Sequence, residues 1–332
     1  MKTQLKKLQI ELGDLKPRTH RFNKKHEYTP YEYDKNIHII DVSSIKGSAN
    51  NREDLLVSNF WALFLGLLRD VAPGDVVDTG GGAYGLRSNG DVNFGAAYLT
   101  YGTSTIAETF TDYILRSYVG SIATTIAVTV LSDRVRISLS GILPATAYEL
   151  GIYQSLYDTA GGARTTMLAR TVGSWADGGA IIYDIDFLNP WVVNAAYLMY
   201  GILRNVNEAM LKLDGSSVIA RTSGDVNAAS SYLVVSPSSV TWSPGLYNVP
   251  DAASMTTYYI DMLGMRSIRY TALMGTAVPG TDMVVNTIGL YQPMFDSAGV
   301  TFTACHLVLP LASPITLYAG RNNIIVLRLL AM

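Results

Sequence analysis

Cysteine is almost absent. Cys305 stands alone in 332 residues, so no disulfide can form within the chain and packing must supply its stability. Lysine nearly disappears after Lys46. Only Lys212 follows, and every other basic residue of the body is arginine. Histidine is as scarce, with His306 the sole one beyond His38, which leaves no means of building a His-rich metal site in the body. Long apolar runs are missing too. The longest, "FWALFLGLL" at 60–68, falls well short of the roughly 18 residues a membrane helix requires. No membrane span is expected. The N-terminus is charged through residue 27 and shows no secretory signal pattern.

Charge is sparse and unevenly placed. Residues 1–54 hold 19 of the 52 charged side chains, leaving 33 for the other 278. That is roughly 12% of the body, against about 25% in an ordinary soluble domain. Mean hydropathy is +0.19, and 21 tyrosines are present. Arginine tolerates desolvation and pairs bidentately at interfaces, whereas lysine prefers bulk water. A body with so little charge and almost no lysine is expected to cover its surface by self-association.

The chain also repeats itself. "ELGIYQSLYDTAG" at 149–161 returns as "TIGLYQPMFDSAG" at 287–299. "NFWALFLGLLRDV" at 59–71 matches "NAAYLMYGILRNV" at 194–206, pairing Asn59 with Asn194, Gly66 with Gly201 and Arg69 with Arg204. "RSNGDVN" at 87–93 matches "RTSGDVN" at 221–227. The order is conserved and the offset drifts by a few residues, as loop insertions between two copies of one fold would produce. A tandem duplication is expected, with domain 1 over 55–188, domain 2 over 189–332 and an N-terminal arm over 1–54.

Each copy opens on a helical period. Leu55, Leu56, Phe60, Leu63, Phe64, Leu67 and Leu68 form the first stripe, and Val193, Tyr197, Leu198, Ile202 and Leu203 the second. The period then changes to two, as in Val135-Arg136-Ile137-Ser138-Leu139. Many short β-branched runs bounded by Gly, Pro, Asn or Ser point to a sandwich or barrel in each copy. Asp158 to Gly161 and Asp296 to Gly299 read as the hairpin turns after a core strand. The arm has a weak helical period at its start, then an irregular stretch too poor in apolar residues to form a core, so its order must come from contact with something else.

Candidate chemistry is thin. "GGGAYG" at 80–85 fits a dinucleotide-binding pattern literally, but a helix precedes it, and a loop is the expected reading. Cys305 and His306 are adjacent in a strand and point to opposite faces, so they form no thiolate–imidazole pair. Asp184 and Asp186 share a strand face, with pairing to arginine favoured over catalysis. No catalytic, cofactor-binding or metal-binding residue is assigned, and no enzyme activity is expected. Lys16, Arg18, Arg21, Lys24 and Lys25 form a short basic cluster suited to nucleic acid or to a neighbouring subunit.

One further pattern combines Gly102, Thr103, Thr105, Asp112 and Leu115 with the later Glu149-Leu150-Gly151-Ile152-Tyr153 and with "MLAR" at 167–170. This G-T-x-T…D-x-x-L and E-[VL]-G-[IL]-Y combination resembles β-sandwich virion proteins of tailed phages and archaeal viruses. The second copy keeps Gly289-Leu290-Tyr291 but lacks the glutamate and the G-T-x-T stretch. Two sandwiches in one chain are also similar in architecture to double jelly-roll coat proteins. The resemblance implies a mainly β chain of two tandem jelly-roll-like sandwiches, each led by an amphipathic helix. It implies a self-assembling capsid subunit located in the virion, a homo-oligomer such as a trimer within a lattice, in contact with other virion proteins and, through its arm, with nucleic acid. A tail, fibre or decoration protein, or a cell-surface appendage subunit, are the alternatives.

Overall fold

The computed structural model describes residues 35–43, 45–50, 52–70, 76–87, 92, 94–223, 225–260 and 270–330. Among the described residues the chain is mainly β, with two helices and several sheets. The first half runs β1 (Lys35–Ser43), β2 (Ile45–Ala49), β3 (Arg52–Leu56), α1 (Ser58–Arg69), β4 (Val76–Val77), β5 (Ala83–Tyr84), β6 (Tyr98–Gly102), β7 (Tyr118–Ile122), β8 (Thr125–Val130), β9 (Arg134–Ile142), β10 (Ala147–Tyr157), β11 (Ala163–Trp175) and β12 (Ala180–Leu188). The second half follows with α2 (Val193–Arg204), β13 (Glu208–Leu211), β14 (Ser217–Ala220), β15 (Tyr232–Ser236), β16 (Ala253–Ser254), β17 (Thr256–Ile260), β18 (Tyr270–Ala277), β19 (Met283–Phe295), β20 (Thr301–Leu317) and β21 (Asn322–Leu330).

Sheet order runs alike in the two halves. Strands β7-β6-β10-β11 stand in the order that β16-β15-β19-β20 repeats, and β12-β9-β8 in the order of β21-β18-β17. A small hairpin follows each helix, β4–β5 and then β13–β14. The long hairpins β10–β11 and β19–β20 even break register at the same place, between Ile152 and Tyr153 and between Leu290 and Tyr291. In the first half the hairpin β2–β3 bridges the two sheets into one of nine strands, while in the second they stay separate.

The expected arm boundary at residue 54 is corrected. Strands β1, β2 and β3 of this stretch are built into the sheets: β1 runs parallel to the C-terminal β21 from Lys35↔Asn322 to Ser43↔Leu330, and β2 pairs with β12. Charged residues in this stretch concealed its strand character, since strands exposed on one face accommodate polar side chains at alternate positions. The basic cluster Lys16, Arg18, Arg21, Lys24 and Lys25 lies outside the described residues.

The helices also differ from expectation. Leu55 and Leu56 belong to β3, and α1 begins only at Ser58, after the extended Val57. Neither helix is amphipathic in place. Asn59 through Leu68 of α1 are all buried, as are all but Tyr197 between Val193 and Leu203 of α2. A helix enclosed on every side belongs to the interior. Here α1 packs on β11 and β4, while α2 packs on β13 and β20 and also on β8 and β9 of the other half. Phe64 meets Trp191 edge-on at 5.0 Å and Phe187 at 5.9 Å, which joins the first helix to the start of the second half. Each such buried side chain contributes roughly 1.5–3 kcal/mol. One contiguous core extends from Val42 to Leu327.

Candidate functional site

Each repeated sequence element has a structural task. Asn59 donates from Nδ2 to Val77 O at 2.9 Å and accepts from Val77 N–H at 3.1 Å, clasping the hairpin β4–β5. Asn194 does the same for Leu211 of β13, at 2.8 and 2.9 Å. Arg87 lies over the Tyr157 ring and Arg221 over the Phe295 ring, each beside the turn that follows. Those turns are alike. Asp158 accepts from the N–H groups of Ala160 and Gly162, Asp296 from those of Ala298 and Val300, and Gly161 and Gly299 take φ of +88° and +83°. A left-handed glycine there lets the chain reverse without strain.

The helix ends tie the halves together. A helix leaves its last carbonyls without partners inside the helix. Those of α1 are satisfied from the second half: Leu67 O accepts from Gln292 Nε2 at 2.9 Å and Asn227 Nδ2 at 2.7 Å, and Leu68 O from Ser231 N–H at 2.8 Å. Those of α2 are satisfied from the first: Ile202 O accepts from Gln154 Nε2 at 2.7 Å, and Leu203 O from Ala97 N–H at 2.6 Å. Both helices stop at a left-handed residue, Asp70 at φ 52° and Asn205 at φ 57°. Each half therefore caps the helix of the other. Both glutamines are fully buried in strands that are otherwise largely apolar.

A second construction occurs in the first half alone. Arg170 is fully buried and uses all five N–H groups. Nε and Nη2 donate to Glu149 Oε2 at 3.0 and 2.9 Å, Nη1 to Asp112 Oδ2 at 2.8 Å, and the remaining two protons go to Ile106 O and Ala107 O. Glu149, also fully buried, accepts from the N–H groups of Arg116 and Ser117 at 3.0 and 2.6 Å. Asp112 accepts from the Thr109 N–H and hydroxyl at 2.8 and 2.9 Å. Burial alone would raise the Asp112 carboxyl, but the Thr109 groups and the Arg170 guanidinium together hold it below the usual range. Leu115 N–H donates to Tyr153 Oη at 2.7 Å, and burial pushes that phenol up to about 12. The loop 103–117 between β6 and β7 is fixed from within at both flanks. Gly102 belongs to this arrangement, since a Cβ there would collide with Ser117 O and stand 2.5 Å from Glu149 Oε1.

Gly102, Asp112, Leu115, Glu149 and Tyr153 of the virion-like pattern thus converge on one loop anchor. Arg170 closes that anchor, a role that its place in "MLAR" does not reveal. In the second half Val308 and Thr287 stand where Arg170 and Glu149 do, and only the tyrosine contact recurs, Val249 N–H donating to Tyr291 Oη at 2.8 Å.

The remaining candidates resolve simply. Asp184 and Asp186 pair with arginine: Arg136 reaches both carboxylates, Arg134 reaches Asp186, and Ser138 Oγ donates to Asp184. Gly80 to Gly82 of "GGGAYG" form the turn of hairpin β4–β5, with Gly80 and Gly82 N–H donating to Asp78. Cys305 is fully buried, its thiol pushed up to about 12 by desolvation. His306 is equally buried, pushed down to about 3 by the same cause, and neither ring nitrogen has a hydrogen-bond partner among the described residues. No group of three metal-ligating side chains is found among the described residues, and no helix among them is long and apolar enough to cross a membrane.

No protein-family model and no curated protein matches the chain. Among solved structures, a 2'-deoxycytidine 5'-triphosphate deaminase from Agrobacterium tumefaciens is 12% identical and covers 71% of this chain and 86% of its own, with a TM-score of 0.12. A likeness that weak bears on neither fold nor function.

Proposed function

We propose that this chain is a virion structural protein, a coat subunit that self-assembles through two related jelly-roll-like sandwiches. The observation that carries this reading is the anchored loop 103–117. Burying an arginine and two carboxylates is costly unless every charge is satisfied, and here the whole network serves to hold a surface loop in one shape. That loop presents Ile106, 61% exposed, and Tyr113, 39% exposed, beside Tyr118 and Val119 of β7. A rigid loop bearing exposed apolar side chains suits a permanent contact, because no ordering entropy is lost on binding.

The matching sheet orders, helix clasps and turns support a duplicated ancestor, and the reciprocal helix caps make the pair one body. A body with internal two-fold likeness offers related contact surfaces in two directions, as a subunit of a closed lattice needs. The few charges of the body and its arginine-only basic residues apart from Lys212 point the same way. Substituting Ile106→Asp together with Tyr113→Asp tests the reading. The protein should keep its fold by circular dichroism while its light-scattering mass drops to that of a monomer. Unchanged assembly would remove the loop from the contact.

A further inference from the structure

Strand β7 ends the nine-stranded sheet, with β6 on one side and, among the described residues, no strand on the other. An edge of this kind presents unpaired backbone N–H and C=O groups, and proteins commonly protect it with lysine, proline, other charges or a very short strand. None of these protects β7. The sixteen residues from Ser117 to Ser132 contain no charged residue, no histidine and no proline. The register with β6 shifts between Tyr101↔Gly120 and Gly102↔Tyr118, which skips Val119. Val119 is 50% exposed, beside Tyr118 at 51%. The matching edge of the second half is built differently. There β16 has only Ala253 and Ser254, and Pro250 and Asp251 stand just before it.

We infer that β7 pairs antiparallel with β7 of a second copy about a two-fold axis, which makes a dimer the first step of assembly. The inference rests on the self-associating reading above and names its contact. An uncharged edge is best matched by a strand that brings no charge to it, and the same strand of a second copy is one. With the axis at Gly120, Val119 lies opposite Ser121 and Tyr118 opposite Ile122, while glycine meets glycine. A Cβ on Gly120 would stand 3.1 Å from the Tyr101 ring, so the inner side favours glycine there and no side chain stands at the axis. Such a contact is isologous and closes after two copies, covering both edges at once. The loop that carries Ile106 and Tyr113 leads straight into β7, so both exposed patches join one contact.

Two measurements on the full chain test it. Val119→Cys and Ser121→Cys variants, mixed and oxidised, should join into a disulfide-linked pair of chains on a denaturing gel, since opposed residues lie within disulfide reach. Both positions are exposed, and Cys305 is buried. Absence of the linked pair would overturn the inference, and so would an equal yield with Val130→Cys, on the β8 edge, in place of Ser121→Cys. Val119→Lys brings two ammonium groups to one small patch and should raise the dimer dissociation constant, read by sedimentation, at least tenfold. An unchanged constant would overturn the pairing. A dimer that Val119→Lys breaks but that builds nothing larger would uphold it and count against the coat subunit alone. A native chain that is monomeric at micromolar concentration would overturn both.

Discussion

Gln154 and Gln292, 138 positions apart, each donate to the end of the helix that belongs to the other half, Gln154 to Ile202 O at 2.7 Å and Gln292 to Leu67 O at 2.9 Å. The two halves therefore complete one another's helix ends, adding a donor to carbonyls that within their own halves accept from Asp70 N–H at 3.4 Å, for Leu67 O, and from Asn205 N–H at 3.2 Å, for Ile202 O. Replacing either glutamine with leucine leaves buried carbonyls short of a donor and should cost about 1–3 kcal/mol. Denaturant unfolding should remain a single transition for the native chain and for both variants. Two separable transitions would show the halves to be independent.

Arg170 should be the most sensitive position in the first half. Arg170→Met leaves Glu149 buried without a counter-charge and Asp112 with only its Oδ1 contact to the partly exposed Arg116 at 2.7 Å, at a cost of about 3–5 kcal/mol. The second half has a version without charge at the same place, Val308 with Thr287. Arg170→Val combined with Glu149→Thr should thus recover part of the loss while leaving loop 103–117 more open to proteolysis. A double variant no more stable than Arg170→Met would contradict this account of the network.

His306 predicts a specific pH dependence. Its folded pKa, about 3, lies below its ordinary value of 6.5. The unfolded chain therefore binds a proton that the folded chain refuses between these limits. The stability is fully present above about pH 6.5 and declines as pH falls, by about 1.4 kcal/mol per pH unit from this group. Between pH 6.5 and 4.5 this slope is clear of most carboxylate titration. His306→Leu, which copies Leu168 at the matching strand position, should flatten it. An unchanged slope would assign it elsewhere.

Deleting residues 1–34 should leave every described strand in place and weaken assembly, with the loss read by sedimentation. If nucleic acid binds the N-terminal segment, neutralising Lys16, Arg18, Arg21, Lys24 and Lys25 should reduce the slope of log affinity against log salt by about one for each phosphate no longer neutralised. A truncated chain that assembles as well as the full one would leave the segment without that role.

The paired turns and hairpins were legible because strand, turn and clasp are written locally. "YQSLYDTAG" and "YQPMFDSAG" carry the register break, the left-handed glycine and the buried glutamine in one stretch. What those glutamines reach was not legible, since Ile202 and Leu67 are 48 and 225 positions away. A polar residue repeated at the same place in two apolar strands was the available signal. Arg170 was similarly hidden, because its partners Asp112 and Glu149 meet it only when loop 103–117 folds back over β10. The strands β1 to β3 were mistaken for part of an arm because one charge-rich composition spans residues 1–54.

The most direct test of the coat-subunit reading is electron microscopy of the purified full-length protein at neutral pH and micromolar concentration. Closed shells or an extended regular lattice built from the 36.0 kDa chain are the predicted result. Uniform single particles of that mass, with no larger assembly, would contradict it.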